Sequence, residues 1–180
     1  PILSQNKLQV LHAETFQGLS FANKGILDMS QNKLSTLSEK VFDGLRYLRS
    51  LRLEGNRLRS LGTRLFYWLI NLEELNLEQN QLMDLDEDVF VSASSSTCNS
   101  AGCVYRSLKR RLLKLNLGGN QLATLPNDLF NGFRALRNLQ LQSNLLARLP
   151  QQLFQTLGEV HWTFLGFLKE YDSIRFIQQT

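Results

Sequence analysis

The chain has 180 residues, with 20 Lys and Arg against 16 Asp and Glu, 43% hydrophobic and 9% aromatic residues, two Cys and 38 Leu. About one residue in five is Leu and the net charge is only +4, a composition that collapses into a globule rather than staying disordered. No apolar run reaches the roughly 18 residues of a membrane span, the longest being the short stretch from Val160 to Leu168, and Pro1-Ile2-Leu3-Ser4 carries no secretory apolar region.

A repeat governs the pattern. Asn recurs at 6, 32, 56, 80, 120 and 144, with spacings of 26, 24, 24, 40 and 24. Five and three residues before it stand Leu27/Met29, Leu51/Leu53, Leu75/Leu77, Leu115/Leu117 and Leu139/Leu141, with Leu3 alone before Asn6. Two and five residues after stand Leu8/Leu11, Leu34/Leu37, Leu58/Leu61, Leu82/Leu85, Leu122/Leu125 and Leu146/Leu149. The tenth residue after is always Phe: Phe16, Phe42, Phe66, Phe90, Phe130 and Phe154.

Leu-x-Leu places two side chains on one face of a strand, because successive side chains alternate. The spacing therefore predicts short parallel strands near residues 2–4, 27–29, 51–53, 75–77, 115–117 and 139–141, one per coil and about 4.8 Å apart. No coil can bury its Leu face alone, so the coils stack into a solenoid around one continuous core, with the Phe column filling its convex side. The Asn amides are expected to bond main chain of their own and the adjacent coil, groups that would otherwise cost roughly 1 to 3 kcal/mol each if left unpaired in the interior.

Between Asn80 and Asn120 the spacing of 40 marks about 16 extra residues, in a segment of about 91–111. Its Ser-rich beginning has turn composition, and the segment is expected to leave the solenoid away from the concave side. Cys98 and Cys103, the two cysteines, lie within it. A disulfide pinning the loop in an extracytoplasmic or extracellular compartment is favoured over two free thiols or an incidental pair, and two ligands without a nearby His do not make a metal site. Arg106, Lys109, Arg110 and Arg111 close the loop, opposite the acidic turn of Asp84, Asp86, Glu87 and Asp88. Residues 1–90 carry 10 basic and 12 acidic side chains and residues 91–180 carry 10 and 4. With Tyr105 as the sole stacking partner, the basic cluster reads as a solvated loop rather than a nucleic-acid site.

Beyond Gly158 the repeat degenerates. Val160, Thr163 and Leu165 fit a seventh strand that would turn Trp162 and Phe164 outward, whereas Phe164, Phe167, Leu168, Tyr171 and Ile174 fit a helix; either would cover the last coil.

The segment Leu113-Lys-Leu-Asn-Leu-Gly-Gly-Asn120-Gln-Leu-Ala-Thr-Leu-Pro126-Asn-Asp-Leu-Phe130 resembles the 24-residue typical leucine-rich repeat of Toll-like receptor ectodomains, variable lymphocyte receptors, Slit proteins and platelet glycoprotein Ib. The resemblance spans roughly residues 1–157. It implies an α/β-type right-handed solenoid of six repeats, with a short parallel sheet on the concave face and loops and short helical turns on the convex face. Residues 158–180 would then be a degenerate repeat or capping segment. Only Pro126 and Pro150 keep the family's Leu-Pro step, and Cys-rich caps are absent from the sequence.

Catalysis has little support, since His12 and His161 lie six strand spacings apart, nearly 30 Å. No nucleophile elbow, P-loop or zinc-protease motif occurs, and no cofactor is implied. The binding reading rests on the outward strand positions six, four and two before each Asn. These are Ile26/Asp28/Ser30, Ser50/Arg52/Glu54, Glu74/Asn76/Glu78, Lys114/Asn116/Gly118 and Asn138/Gln140/Gln142. A mixed-charge centre and an amide-rich end suit a protein or peptide partner, on this face or on the insertion loop. The rival expectation is a structural subunit held permanently in a larger assembly.

Overall fold

The computed structural model describes residues 1–19, 25–93, 95–99, 102–149 and 161–163. One strand per coil forms from the Leu-x-Leu frame: β1 (Gly25–Asp28), β2 (Leu48–Arg52), β3 (Glu74–Asn76), β6 (Lys114–Asn116), β7 (Asn138–Gln140) and β8 (His161–Thr163). They pair in parallel in the order β1-β2-β3-β6-β7-β8, the right-handed coil sense being the one parallel crossovers adopt. The first coil adds a single bridge, Ile2 to Asp28, rather than a full strand. The strands end earlier than the Leu pairs suggest, so that the second Leu of each pair lies just past the ladder. The inter-coil hydrogen bonding nevertheless continues through it, as in Leu53 N to Asn76 O (2.9 Å) and Leu77 N to Asn116 O (2.8 Å).

The register keeps one column of side chains inward. Leu27, Leu51, Leu75, Leu115 and Leu139 are Cα partners in succession and all are buried. The residue before each Asn adopts a positive φ in all six coils: Gln5, Gln31, Gly55, Gln79, Gly119 and Ser143. This left-handed step turns the chain out of the strand and aims the Asn inward. Glycine adopts it freely at 55 and 119, whereas the other four residues carry a modest conformational cost.

The Asn ladder forms as expected. Asn80 Oδ1 accepts the Leu58 amide (3.1 Å), while its Nδ2 donates to Leu53 O and Leu77 O (both 3.0 Å). Asn32, Asn56, Asn120 and Asn144 repeat the same three contacts one coil along. Asn6 is exposed, and among the described residues its amide donates to Leu3 O and Ser4 O.

Across the convex side the chain makes runs of i to i−3 turns, such as Val41 to Ser38, Asp43 to Lys40 and Leu45 to Phe42, which seat the Phe column. Phe16, Phe42, Phe66 and Phe90 stack at 6.2 to 6.5 Å between centroids. The column is then interrupted. Phe133, a residue outside the expected series, sits edge-on between Phe90 (5.6 Å) and Phe130 (5.7 Å). Phe133 takes the place that Leu45 and Leu69 hold in earlier coils, thirteen residues after the Asn, and its ring bridges Phe90 and Phe130. Phe154 lies outside the described residues.

The insertion is a β-hairpin of β4 (Ser95–Asn99) and β5 (Gly102–Arg106), paired only with itself. Its Ser-rich start is thus a strand rather than a turn, because the antiparallel ladder satisfies the backbone whatever the side chains prefer. The connecting segment bonds Tyr67 O of the preceding coil through the Ala93 amide, on the side away from the six-stranded sheet. The chain rejoins the solenoid at α1 (Leu108–Arg111), where Leu108 is fully buried.

At the other end, β8 sets Trp162 opposite Leu139 and Thr163 opposite Gln140. This is one residue out from the expected frame with Thr163 in the inward column. The register therefore pairs Trp162, not Thr163, with the column of Leu139. The expected helix over residues 164–174 lies outside the described residues, and among the described residues no helix is long and apolar enough to cross a membrane.

Candidate functional site

Strand register converts the outward positions into rows across the concave face. One row runs Ile26, Ser50, Glu74, Lys114, Asn138 and another Asp28, Arg52, Asn76, Asn116, Gln140. Backbone bonds from Gln31 N to Glu54 O, Gly55 N to Glu78 O, Gln79 N to Gly118 O and Gly119 N to Gln142 O carry the third row: Ser30, Glu54, Glu78, Gly118, Gln142. All ten expected concave residues, Arg52, Glu54, Glu74, Asn76, Glu78, Lys114, Asn116, Asn138, Gln140 and Gln142, therefore share one surface.

Their side chains are organised among themselves. Lys114 Nζ lies 2.6 Å from Glu74 Oε1, and Arg52 Nη1 lies 3.8 Å from Asp28 Oδ2. Asn116 Nδ2 donates to Glu78 Oε2 (3.0 Å) while its Oδ1 accepts the Gly118 amide (2.9 Å). Asn76 Oδ1 likewise accepts the Glu78 amide (3.1 Å). These local bonds hold the amides in fixed rotamers and leave a depression of about 280 Å3 over the middle strands, lined by Ser50, Arg52, Glu54, Asn76, Asn116 and Gln140 among others. Gln142 reaches over the preceding coil, its amide so near Gly118 that a Cβ there would stand 2.4 Å from Nε2.

Electrostatically the centre is acidic. Burial raises the Glu54 carboxyl above its usual range, and the carboxylates of Asp28 and Glu78 push the same way. Its own backbone amide and Arg52 oppose them.

The basic cluster that closes the insertion does not act as one patch. Lys109 lies over the Phe133 ring, 5.8 Å from its centroid, and burial lowers its ammonium, with Asp88 and Asp128 opposing. Arg111 turns to the flank and bonds Glu73 Oε1 (2.8 Å), which Arg49 also contacts. Arg110 is exposed, and Arg106 ends β5. Glu73 and Glu74, adjacent in sequence, are thus held by different cations on different faces and form no acid/base pair. Sequence reading passed over the Arg49, Glu73 and Arg111 clamp, although Arg49 and Glu73 stand one repeat apart.

Cys98 and Cys103 are Cα partners across the hairpin. Among the described residues no group of three or more His, Cys, Asp or Glu is placed to hold a metal.

Structural comparison finds the same architecture in a chain of the Toll–Spatzle complex from Drosophila, with 26% identity over 86% of this chain and 20% of that one, at a TM-score of 0.71. A chain of the TLR13–ssRNA13 complex matches at 25% identity over 89% of this chain and 23% of that one, at 0.59. The chain spans about a fifth of the length of these proteins. No curated protein sequence matches it. The leucine rich repeat family profile matches residues 2–58 and 46–97, together more than half of the sequence. With one parallel strand per Asn-centred coil and its sequence matched over that span, the chain belongs to the leucine-rich repeat family.

Proposed function

We propose that this chain is a non-catalytic recognition module that binds a protein or peptide on the concave face of its sheet. The observation that carries the reading is the row of outward side chains from four successive coils, held rigid by bonds among themselves around a shallow depression. Such a surface meets a partner with little ordering cost. Its four carboxylates, Asp28, Glu54, Glu74 and Glu78, against Arg52 and Lys114 favour a protein over a polyanion such as nucleic acid. Membership of a protein–protein complex by the Toll–Spatzle chain points the same way. The exposed His12 and the distant His161 leave general acid/base chemistry without a candidate pair.

The reading includes a disulfide between Cys98 and Cys103 and an extracytoplasmic location. Cross-strand neighbours in an antiparallel pair have Cα atoms roughly 4.5 to 5.5 Å apart, within the range a disulfide spans.

Site-directed photocrosslinking tests the surface. A photoreactive residue at Gln140, on the concave face, should capture a partner that the same residue at Arg110, beside the insertion, does not capture. Arg52→Glu should weaken the capture. Capture from position 110 alone would move the site to the insertion loop.

A further inference from the structure

The charges of the concave face do not cancel evenly. Glu74 is neutralised by Lys114 and Asp28 by Arg52. Asp28 Oδ1 also accepts the Ser30 amide (3.0 Å) and hydroxyl (2.7 Å). Glu54 and Glu78 remain, and neither is within ion-pair distance of a cation among the described residues. They occupy the same repeat position on adjacent coils, joined by the Gly55 N to Glu78 O bond, so their backbones run about 4.8 Å apart.

Two buried side-chain atoms of the concave face have no hydrogen-bond partner, one of them in this carboxylate pair and the other in the row that runs through Glu74. Glu54 Oε2 is one; the other is the Oγ of Ser50, a residue only 6% exposed. Both residues line the same depression. A buried acceptor without a donor is destabilising, and structures retain few of them. For Glu54 Oε2 the missing group is a donor, and beside the Glu78 carboxylate it is a cationic one, while the Ser50 hydroxyl can either donate or accept. The acidic residues lack the arrangement of three or more ligands that a metal ion would take. A planar guanidinium presents five donors in a fork that reaches two carboxylates at once, which an ammonium does as a single point.

We infer that Glu54 and Glu78 form the anchor for an arginine side chain of a protein or peptide partner, whose neighbouring main chain meets the Ser50 hydroxyl farther along the depression. Ser50 lies four residues upstream of Glu54, about 13 Å along the strand, the reach of an extended tetrapeptide. The inference rests on the concave face being the binding surface. It adds a consequence of its own: an arginine stabilises the ionised form of Glu54, so binding weakens as pH falls through the raised Glu54 titration. Burial, Asp28 and Glu78 move that loss to higher pH, and the Glu54 amide and Arg52 oppose them.

Capped pentapeptides of alanine with a central Arg, Lys or Glu provide the probes, titrated into the folded protein and followed by amide shifts in NMR. The Arg peptide should bind most tightly and move the amides of Glu54, Gly55 and Glu78. Glu54→Gln or Glu78→Gln should each weaken it by roughly tenfold, the scale of one charge-assisted hydrogen bond. Glu74→Gln, whose carboxylate is already paired, should weaken it far less. Equal affinity for the Arg and Glu peptides, or an unchanged affinity in both variants, would overturn the anchor. A partner captured through Gln140 yet indifferent to Glu54→Gln and Glu78→Gln would overturn the anchor and leave the concave reading standing. An Arg peptide held at Glu54 and Glu78 alongside a partner captured only at the insertion would do the reverse.

Discussion

Replacing Asn80 with alanine removes four hydrogen bonds, the longest to Glu78 O (3.3 Å), but their loss is not equal. Leu53 O still accepts from Asn56 Nδ2 (2.9 Å), and Leu77 O from Asn120 Nδ2 (3.0 Å), so each carbonyl keeps one partner. The Leu58 amide has no such reserve, since Asn80 Oδ1 is its acceptor and Leu58 is fully buried. One orphaned N–H costs about 1 to 3 kcal/mol, and two secondary bonds to shared carbonyls add about 0.5 to 1 kcal/mol each. The expected loss is therefore about 3 kcal/mol, measured as a fall in urea midpoint at unchanged m-value. Asn6→Ala is the control, because Asn6 is exposed and takes no amide from another coil; it should cost less than about 1 kcal/mol. Hydrogen exchange at Leu58 should accelerate in Asn80→Ala beyond the global loss of stability. Equal effects at positions 6 and 80, or an Asn80→Ala loss within error, would refute the ladder as a source of stability.

Phe133→Ala should cost about 3 to 5 kcal/mol, as much as truncation within the stacked column, because it empties the gap between Phe90 and Phe130; equilibrium denaturation checks this, and a loss below 1 kcal/mol would mean that the rings collapse together. Thiol titration of the native, unreduced protein should find no reactive thiol at Cys98 or Cys103, and two reactive thiols would remove both the disulfide and the compartment drawn from it. Glu54→Gln should leave stability unchanged in acid and raise it at neutral pH. The raised Glu54 titration means that the folded state holds this proton to higher pH than the unfolded chain, so the parent loses stability as pH rises from the usual carboxylate value through the folded one. A variant less stable than the parent at neutral pH would contradict that sign.

The inward residues were readable because each has one task and a fixed period. Leu-x-Leu, Asn and Phe recur at spacings that leave a solenoid as the arrangement able to bury them, and the buried columns follow those positions. What the period did not reveal lies where two coils differ. Phe133 holds the position, thirteen after the Asn, that buried Leu45 and Leu69 fill in earlier coils, and only its larger ring sets this coil apart. The strand at Ser95–Asn99 forms because a neighbouring segment completes its ladder, so its composition misleads. At β8 the alternation was visible, but two frames one residue apart competed, and pairing with Leu139 chose the one that sets Trp162 in its column. On the concave face the rows were legible while the pairings were not. Whether Lys114 meets Glu74 or Glu78 depends on rotamers that repeat position does not determine.

The distribution of unmet hydrogen bonds separates the two faces further. Every interior ladder Asn among the described residues has both ends of its amide engaged. Among the described residues four buried side-chain atoms lack a partner, Ser50 Oγ, Glu54 Oε2, Gln142 Oε1 and Arg111 Nε, three of them in the concave rows and the fourth on the flank. The three on the concave face lie where the sheet's own backbone bonding is complete, so that water or an incoming group has to supply the bond. In a repeat fold the two roles separate in this way because the core is set by positions five and three before the Asn and the surface by six, four and two before it. The surface can therefore carry local strain for binding without loosening the stack that holds it.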